Sequence, residues 1–184
     1  MHRSIYDKFI KALELYQFGI DQKTISNRDW VIFWQIDKDM NCRSGKMVKY
    51  LRDGHRDKSC HATWFHKVMR YEDFNLKQCF FGEHILNTDP RKPIAIVESE
   101  KTAIIASQFI DNYIWLASGG REGLGFDKCK SLENRNVTLF PDLGAFDYWK
   151  GIAKDRGFSI SDSLERRATD EQRKLGLDLA DFLI

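Results

Sequence analysis

The spacing of apolar residues divides the chain into two parts. Residues 4–16 carry apolar side chains three and four positions apart, which predicts an amphipathic helix. The β-branched and aromatic run at 30–37 predicts a buried strand, and the alternating run at 45–51 predicts a second one. With the apolar strip at 79–86, these segments predict a small lobe that mixes helix and strand.

Apolar runs alternate with helical patterns from Pro93 onward, and this changes the predicted architecture. Strands followed by helices that can cross a sheet are typical of a parallel sheet with right-handed connections. The predicted strands are 94–98, 113–118, 136–142 and 158–161, and the predicted helices are 101–110 and 144–157. The breaker NTDPRKP at 87–93 separates the two parts. We therefore expect an α/β protein, with a smaller α+β lobe over 1–90 and a parallel sheet flanked by helices over 91–184, ending in a helical tail.

The composition fits a folded protein that stays out of membranes. Of the 184 residues, 42% are hydrophobic and 13% are aromatic, which is enough to build a core. No apolar run approaches the roughly 20 residues that span a bilayer, and the N-terminus lacks the apolar region of a signal peptide. We therefore expect a cytoplasmic protein with no membrane partner.

Positive charge is concentrated in one segment, although the net charge is only +2. Residues 43–70 hold eight basic side chains and two acidic ones, which favours a phosphate-bearing partner. Arg43, Lys46 and Lys49 are the candidate phosphate-binding residues there, and an ordinary solvated surface is equally compatible with the pattern. The four cysteines are scattered with no CxxC pair, so the sequence encodes no zinc ribbon.

Glu98 and Asp142 each stand at the end of a predicted strand, and the glycine-rich SGGREG follows the strand between them in sequence. Ligands of open parallel sheets bind at the carboxyl ends of the strands, so these segments are expected to converge. Paired carboxylates attract Mg²⁺ or Mn²⁺, and glycines allow backbone N–H groups to approach a phosphate. Read separately, Asp142 could simply cap the following helix, and the glycines could form a tight turn. The candidate phosphate-binding residues of this edge are Lys101, Gly119, Gly120 and Arg121.

Three segments together resemble the Toprim domain, which is shared by bacterial primases, phage primase-helicases and type IA topoisomerases. They are IAIVESEKTA, ASGGREGL and LFPDLGAFDYWK, and the resemblance covers roughly residues 93–160. The upstream part is similar to the lobe that precedes this domain in primase-like proteins of Bacteroidetes mobile elements and prophages. The resemblance implies that Glu98 acts as general acid or base at a phosphodiester oxygen. It also implies that Asp142, as the first aspartate of a DxD motif, binds Mg²⁺.

The chain departs from the Toprim pattern at the second aspartate of that motif, where it has Gly144. Asp147 points away from Asp142 on the predicted helix and substitutes poorly for the missing ligand. Glu100 is therefore the candidate for the third metal-binding carboxylate beside Glu98 and Asp142. A site with fewer carboxylates is expected to hold Mg²⁺ or Mn²⁺ weakly.

Two classes of function follow from this resemblance and stay open. The first is a Mg²⁺-dependent, primase-related or nuclease-like enzyme that acts on polynucleotide phosphates. The second is a catalytically degenerate Toprim fold that binds nucleic acid or a nucleotide. A structural adaptor within a replication complex is a third. The first two imply DNA or RNA as partner, single-stranded by expectation, with nucleotides or a replicative helicase as further partners.

Overall fold

The structure, a computed structural model, contains two four-stranded sheets and describes residues 20–25, 28–52 and 54–184. The helix expected over 4–16 lies outside these residues. The strands of the first sheet are β1 (Ile20–Ile25), β2 (Arg28–Ile36), β3 (Cys42–Val48) and β4 (Thr63–Trp64). They pair in chain order, and each neighbouring pair is antiparallel.

The second sheet is parallel, and its first two strands in chain order are completely buried. Its strands are β5 (Ile94–Val97), β6 (Ile114–Ala117), β7 (Val137–Leu139) and β8 (Ser159–Ile160). The strand order is β6-β5-β7-β8, so β5 lies between β6 and β7. A strand that is covered on both faces needs a continuous apolar run, which explains the sequence IAIV and the complete burial of β5.

Helices flank and connect these strands. The α-helices of the described residues are α1 (Phe65–Val68), α2 (Glu100–Phe109), α3 (Phe126–Cys129), α4 (Phe146–Arg156), α5 (Ser163–Arg167), α6 (Asp170–Leu175) and α7 (Leu179–Leu183). Short 3₁₀ turns occur at Glu83–Ile85 and Lys130–Leu132. The Ser99 hydroxyl caps α2 by accepting a hydrogen bond from the Thr102 backbone N–H, which sets the start of the helix directly after β5.

Two core clusters lie on opposite faces of the parallel sheet. One contains alternate residues of β5 and β6 together with Phe33 and Val48 from the antiparallel sheet. The other contains Ile94, Ile96 and Trp149, the last from α4. This arrangement confirms the expected α/β class, a parallel sheet flanked by helices with a further sheet against it.

The boundary proposed between residues 90 and 91 stays a prediction, and backbone contacts cross it. Phe81 forms an antiparallel bridge with Ala117 through two N–H···O bonds of 3.1 Å, and its ring lies 5.6 Å from that of Phe33. The segment before the breaker therefore extends the edge of the parallel sheet. Among the described residues, no helix combines the length and apolar character needed to span a bilayer.

Replacing Phe81 by alanine should destabilise the protein by about 3–5 kcal/mol, because it empties the contact between the two sheets. The matched control is Phe126→Ala, whose ring is 70% exposed and whose loss should change stability by less than about 0.5 kcal/mol. Urea denaturation of both variants measures the difference. Equal stability losses would show that Phe81 does not join the sheets.

Candidate functional site

Glu98 and Asp142 meet at the carboxyl edge of the parallel sheet. Glu98 directly follows β5, and Asp142 lies three residues beyond β7, the neighbouring strand. The Asp142 backbone N–H donates to Glu98 Oε1 with an N···O distance of 3.4 Å. Parallel pairing of the two strands therefore brings these residues together, and their chemical roles stay predictions.

Burial makes the negative charge on this pair unfavourable. Burial and the negative charges of Glu98, Asp178 and Asp181 together raise the pKa of the Asp142 carboxyl to about 8, while Lys101 opposes them. Asp142 Oδ1 is buried and has no hydrogen-bond partner among the described residues. Burial also raises the pKa of Glu98, although the Asp142 N–H and the positive charge of Arg121 oppose that shift.

Asp178 is a third acidic residue of this edge, and the sequence reasoning missed it. Asp178 Oδ1 accepts the Asp181 backbone N–H and so caps α7. Its Oδ2 accepts a 2.8 Å hydrogen bond from Thr102 Oγ1 and lies 3.9 Å from Lys101 Nζ. The sequence D-L-A-D marks a helix start, but only the packing of α7 against α2 places it near Asp142. Lys101, a predicted phosphate-binding residue, therefore faces a carboxylate of the C-terminal segment.

Glu100, the predicted third metal ligand, forms an ion pair with Lys46, and its metal-binding role stays a prediction. Its side chain is only 2% exposed, and its Oε2 atom forms an ion pair with Lys46 Nζ at a distance of 3.0 Å. Its Oε1 approaches Gly119 and has no hydrogen-bond partner among the described residues. Across residues 20–25, 28–52 and 54–184, no three side chains of His, Cys, Asp or Glu are arranged to hold a metal ion. Lys46 neutralises the charge of Glu100 within a largely buried ion pair.

The three predicted basic residues of β3 and its end are all ion-paired. Arg43 lies 2.5 Å from Asp37, and Lys49 lies 2.8 Å from Asp57. Lys46 differs from them because its ammonium also donates to the Gly119 carbonyl at 2.9 Å, which links the antiparallel sheet to the carboxyl edge of the parallel sheet. The common phosphate-binding surface expected for Arg43, Lys46 and Lys49 stays a prediction.

The glycine-rich loop after β6 is held tightly in place. Gly120 has a φ of 143°, which side chains rarely adopt, and a Cβ on Gly123 would lie 2.1 Å from the Ser118 carbonyl oxygen. The Gly119 N–H donates to the Glu98 carbonyl at 2.9 Å, and the phosphate-binding role expected for Gly119 stays a prediction. Gly120 and Arg121 stay candidates.

Lys128, a residue of α3, supplies a second ammonium that contacts this loop, and no sequence motif marked it. Its Nζ donates to the Ser118 carbonyl at 2.7 Å and lies 5.0 Å from the centre of the Phe80 ring. Burial lowers the pKa of Lys128 to about 8. Lys46 and Lys128 thus hold the carbonyl groups of successive residues, which fixes the loop beside Glu100.

Residues 2–143 match a family model described as "Domain of unknown function (DUF6371)". The chain belongs to this family. No curated protein sequence matches the chain.

Solved structures with a similar fold come from bacteriophage T7. The primase fragment of the T7 primase-helicase protein is 14% identical, with a TM-score of 0.54 over 91% of this chain and 69% of that chain. A second similar structure is that of T7 lagging-strand DNA polymerase interacting with primase domains of two gp4 subunits bound to an RNA/DNA hybrid and dTTP. The matching chain in that structure is 13% identical to this one. Its TM-score is 0.53 over 88% of this chain and 83% of that chain. At these identities the similarity shows a primase-like fold.

Asp142→Asn should be more stable than wild type at higher pH, because the variant lacks a carboxyl whose ionisation is unfavourable in the folded protein. The raised pKa means that the folded protein holds this proton up to about pH 8, whereas the unfolded chain releases it near pH 4. Wild-type stability therefore falls with pH across that window. Thermal unfolding should show the variant gaining roughly 1–3 kcal/mol on wild type between pH 5 and pH 8.

The control for this comparison is Asp147→Asn, which changes an exposed aspartate on α4. It should not alter the pH dependence of stability. A wild-type protein whose stability is flat or rises from pH 5 to pH 8, with no gain in Asp142→Asn, would contradict the assignment of Asp142 as a strained buried carboxyl.

Proposed function

We propose that this chain is a Toprim-type, primase-related protein that acts on polynucleotide phosphates with a divalent cation. The observation that carries the proposal is the pairing of Glu98 and Asp142 at the carboxyl ends of adjacent parallel strands, with one buried Asp142 oxygen unpartnered. Open parallel sheets bind ligands at this edge. The primase-like fold supports the same reading.

The carboxylate pair fits a divalent cation that keeps several water ligands better than a cation whose ligands all come from the protein. Mg²⁺ is held in proteins by one or two carboxylates plus waters and substrate phosphates, and Glu98 with Asp142 supply that number. Burial and the negative charge of Asp178 raise the pKa of both groups, Glu98 adds to the shift at Asp142, and a bound cation would oppose these effects. When bound, such an ion polarises a phosphoryl oxygen and neutralises the charge that develops on it.

Glu98 is the proposed proton carrier. Its raised pKa brings the carboxyl nearer to neutral pH, where a group can both accept and return a proton. Arg121 lies close enough to act on the charge of Glu98 and is itself exposed, so its guanidinium can bind a phosphate beside the pair. Gly120 gives the backbone of this loop access to the same phosphate, and Lys46 and Lys128 keep the loop in place.

A second candidate function is binding without chemistry. Gly144 contributes no side chain where the Toprim pattern has a metal-binding aspartate, and the described residues contain no three-ligand metal group. A site of two carboxylates would still attract a cation together with a phosphate. In this reading the protein is a degenerate Toprim fold that holds nucleic acid or a nucleotide.

The proposed partners are single-stranded DNA or RNA and nucleoside triphosphates, with a replicative helicase as a further candidate. The T7 structure in which primase domains are bound to an RNA/DNA hybrid and dTTP supports this choice. A cytoplasmic protein of a mobile element or prophage, as the sequence resemblance implies, would use these partners in DNA replication.

Turnover on single-stranded DNA with nucleoside triphosphates and Mg²⁺ tests the enzymatic proposal. Glu98→Gln should lower the rate by at least about 100-fold, because it removes the proton carrier, while Asp147→Asn should keep the wild-type rate. Wild-type protein without Mg²⁺ should be inactive. If wild type shows no product under any of these conditions, the enzymatic proposal fails and the binding function is the one left to test.

Calorimetry with Mg²⁺ or Mn²⁺ tests the cation site separately. Because two carboxylates hold a hydrated ion poorly, affinity should be weak for the protein alone and should rise at least about 10-fold when an oligonucleotide supplies phosphate oxygens. Asp142→Asn should abolish that rise. An affinity that is the same with and without oligonucleotide, and unchanged in Asp142→Asn, would mean that Asp142 only begins the α4 segment.

A further inference from the structure

Phe126 exposes an aromatic ring between two positive charges. It is the first residue of α3, and its side chain is 70% exposed. Lys130 Nζ lies 5.1 Å from the centre of its ring, and the Arg156 guanidinium carbon lies 5.7 Å from it. A single exposed apolar residue is common on protein surfaces, but this one is accompanied by cations from two different helical segments.

A second pair of the same kind stands nearer the carboxylates. The Arg121 guanidinium carbon lies 5.0 Å from the centre of the Tyr148 ring, which is 42% exposed. The charge of Arg121 also acts on Glu98, so this pair borders the candidate site. The Phe126 group has no part in the proposed carboxylate chemistry, whereas Arg121 of the second pair is the proposed phosphate-binding residue beside Glu98.

The main chain keeps the two pairs in a fixed relation. Tyr148 and Arg156 lie eight residues apart on α4, which corresponds to about 12 Å along the helix. The Trp149 indole N–H donates to the Arg121 carbonyl at 2.8 Å, and Arg156 Nη2 donates to the Leu124 carbonyl at 3.1 Å. The loop that leads to Phe126 thus runs alongside α4, and the rings do not depend on flexible segments for their positions.

The chemistry of this surface fits a single-stranded nucleic acid. Exposed aromatic rings stack on bases of any sequence, and neighbouring Arg and Lys side chains bind the phosphates between them. Lys130 also pairs with Asp127 at 2.6 Å, but both side chains are more than half exposed, so the pair is weak and can exchange for a phosphate. A protein partner would favour a continuous apolar patch, whereas these rings are separated by charged residues.

We propose that Phe126 and Tyr148, with Lys130, Arg156 and Arg121, form a base-stacking surface for a single strand that leads to the carboxylate pair. Phe126 is the outer stacking position and Tyr148 is the inner one. The direction of the strand rests on the proposed function, because the carboxylate pair marks the inner end. Stacking itself can be tested without metal.

Fluorescence anisotropy with a labelled single-stranded oligonucleotide in EDTA tests the stacking surface. Phe126→Ala should weaken binding roughly 5- to 100-fold, the loss expected for one stacked base, whereas Phe126→Trp should keep or increase affinity. Tyr71→Ala is the matched control, since Tyr71 is an aromatic residue of the antiparallel-sheet side that is 54% exposed. It should bind as wild type does.

An oligonucleotide with abasic positions distinguishes stacking from contact with the backbone. Wild type should bind it more weakly, and Phe126→Ala should then cause little further loss. Combined replacement of Lys130 and Arg156 by alanine should lower the salt slope of binding by about 1.4, at ~0.7 per phosphate contact.

Unchanged affinity in Phe126→Ala would overturn the proposal, and so would a loss of equal size on the normal and the abasic strand. Failure of the cation site leaves a different signature. In that case Asp142→Asn changes nothing, while the Phe126 effect in EDTA persists. If instead the cation measurements succeed and Phe126→Ala binds normally, only the stacking surface is refuted.

Discussion

Complete burial of β5 between two parallel neighbours is the constraint on which the rest of the structure depends. Because both faces of the strand are covered, its residues must be apolar up to the point where the sheet ends. The first polar residue therefore lies at the carboxyl edge of the sheet. There Glu98, directly after β5, lies beside Asp142, which follows the neighbouring strand β7. The same constraint places the glycine-rich loop after β6 on the other side of Glu98, joined by the bond from the Gly119 N–H to the Glu98 carbonyl.

Two kinds of carboxylate occur at that edge, and their surroundings separate their roles. Glu100 is deeply buried and neutralised by Lys46, so it serves to join the antiparallel sheet to the loop. Asp142 is half-buried, its Oδ1 atom is enclosed without a hydrogen-bond partner among the described residues, and its pKa is raised to about 8. A carboxyl with a raised pKa keeps its proton at neutral pH, and a cation that binds beside it would favour loss of that proton. Glu100 is therefore held in an ion pair, whereas Asp142 is the carboxylate for which we propose a cation.

The sequence predicted local features well. The strand at 94–98 and the helix at 101–110 differ by one residue from β5 and α2, because the apolar run and the Ser99 cap are local signals. The strand expected over 136–142 is shorter in the structure, since Pro141 has no N–H to offer a neighbouring strand.

Contacts between distant parts of the chain could not be predicted in the same way. The ion pair of Lys46 with Glu100 joins residues 54 positions apart, and the hydrogen bond from Thr102 to Asp178 joins residues 76 apart. Spacing along the sequence carries no information about which side chains meet across such distances. For that reason the sequence does not predict the Lys46–Glu100 ion pair or the position of Asp178, whereas the general rule for parallel sheets predicts that Glu98 and Asp142 lie at one edge.

The most direct test of the proposed cation site is the titration of the Asp142 carboxyl. Carboxyl ¹³C chemical shifts, assigned by comparison with Asp142→Asn, report its pKa with and without Mg²⁺ and oligonucleotide. We expect titration near pH 8 in the free protein and a pKa at least about one unit lower in the presence of both ligands, because a bound cation favours the ionised carboxylate. A pKa near 4 in the free protein, unchanged by Mg²⁺ and oligonucleotide, would contradict this account.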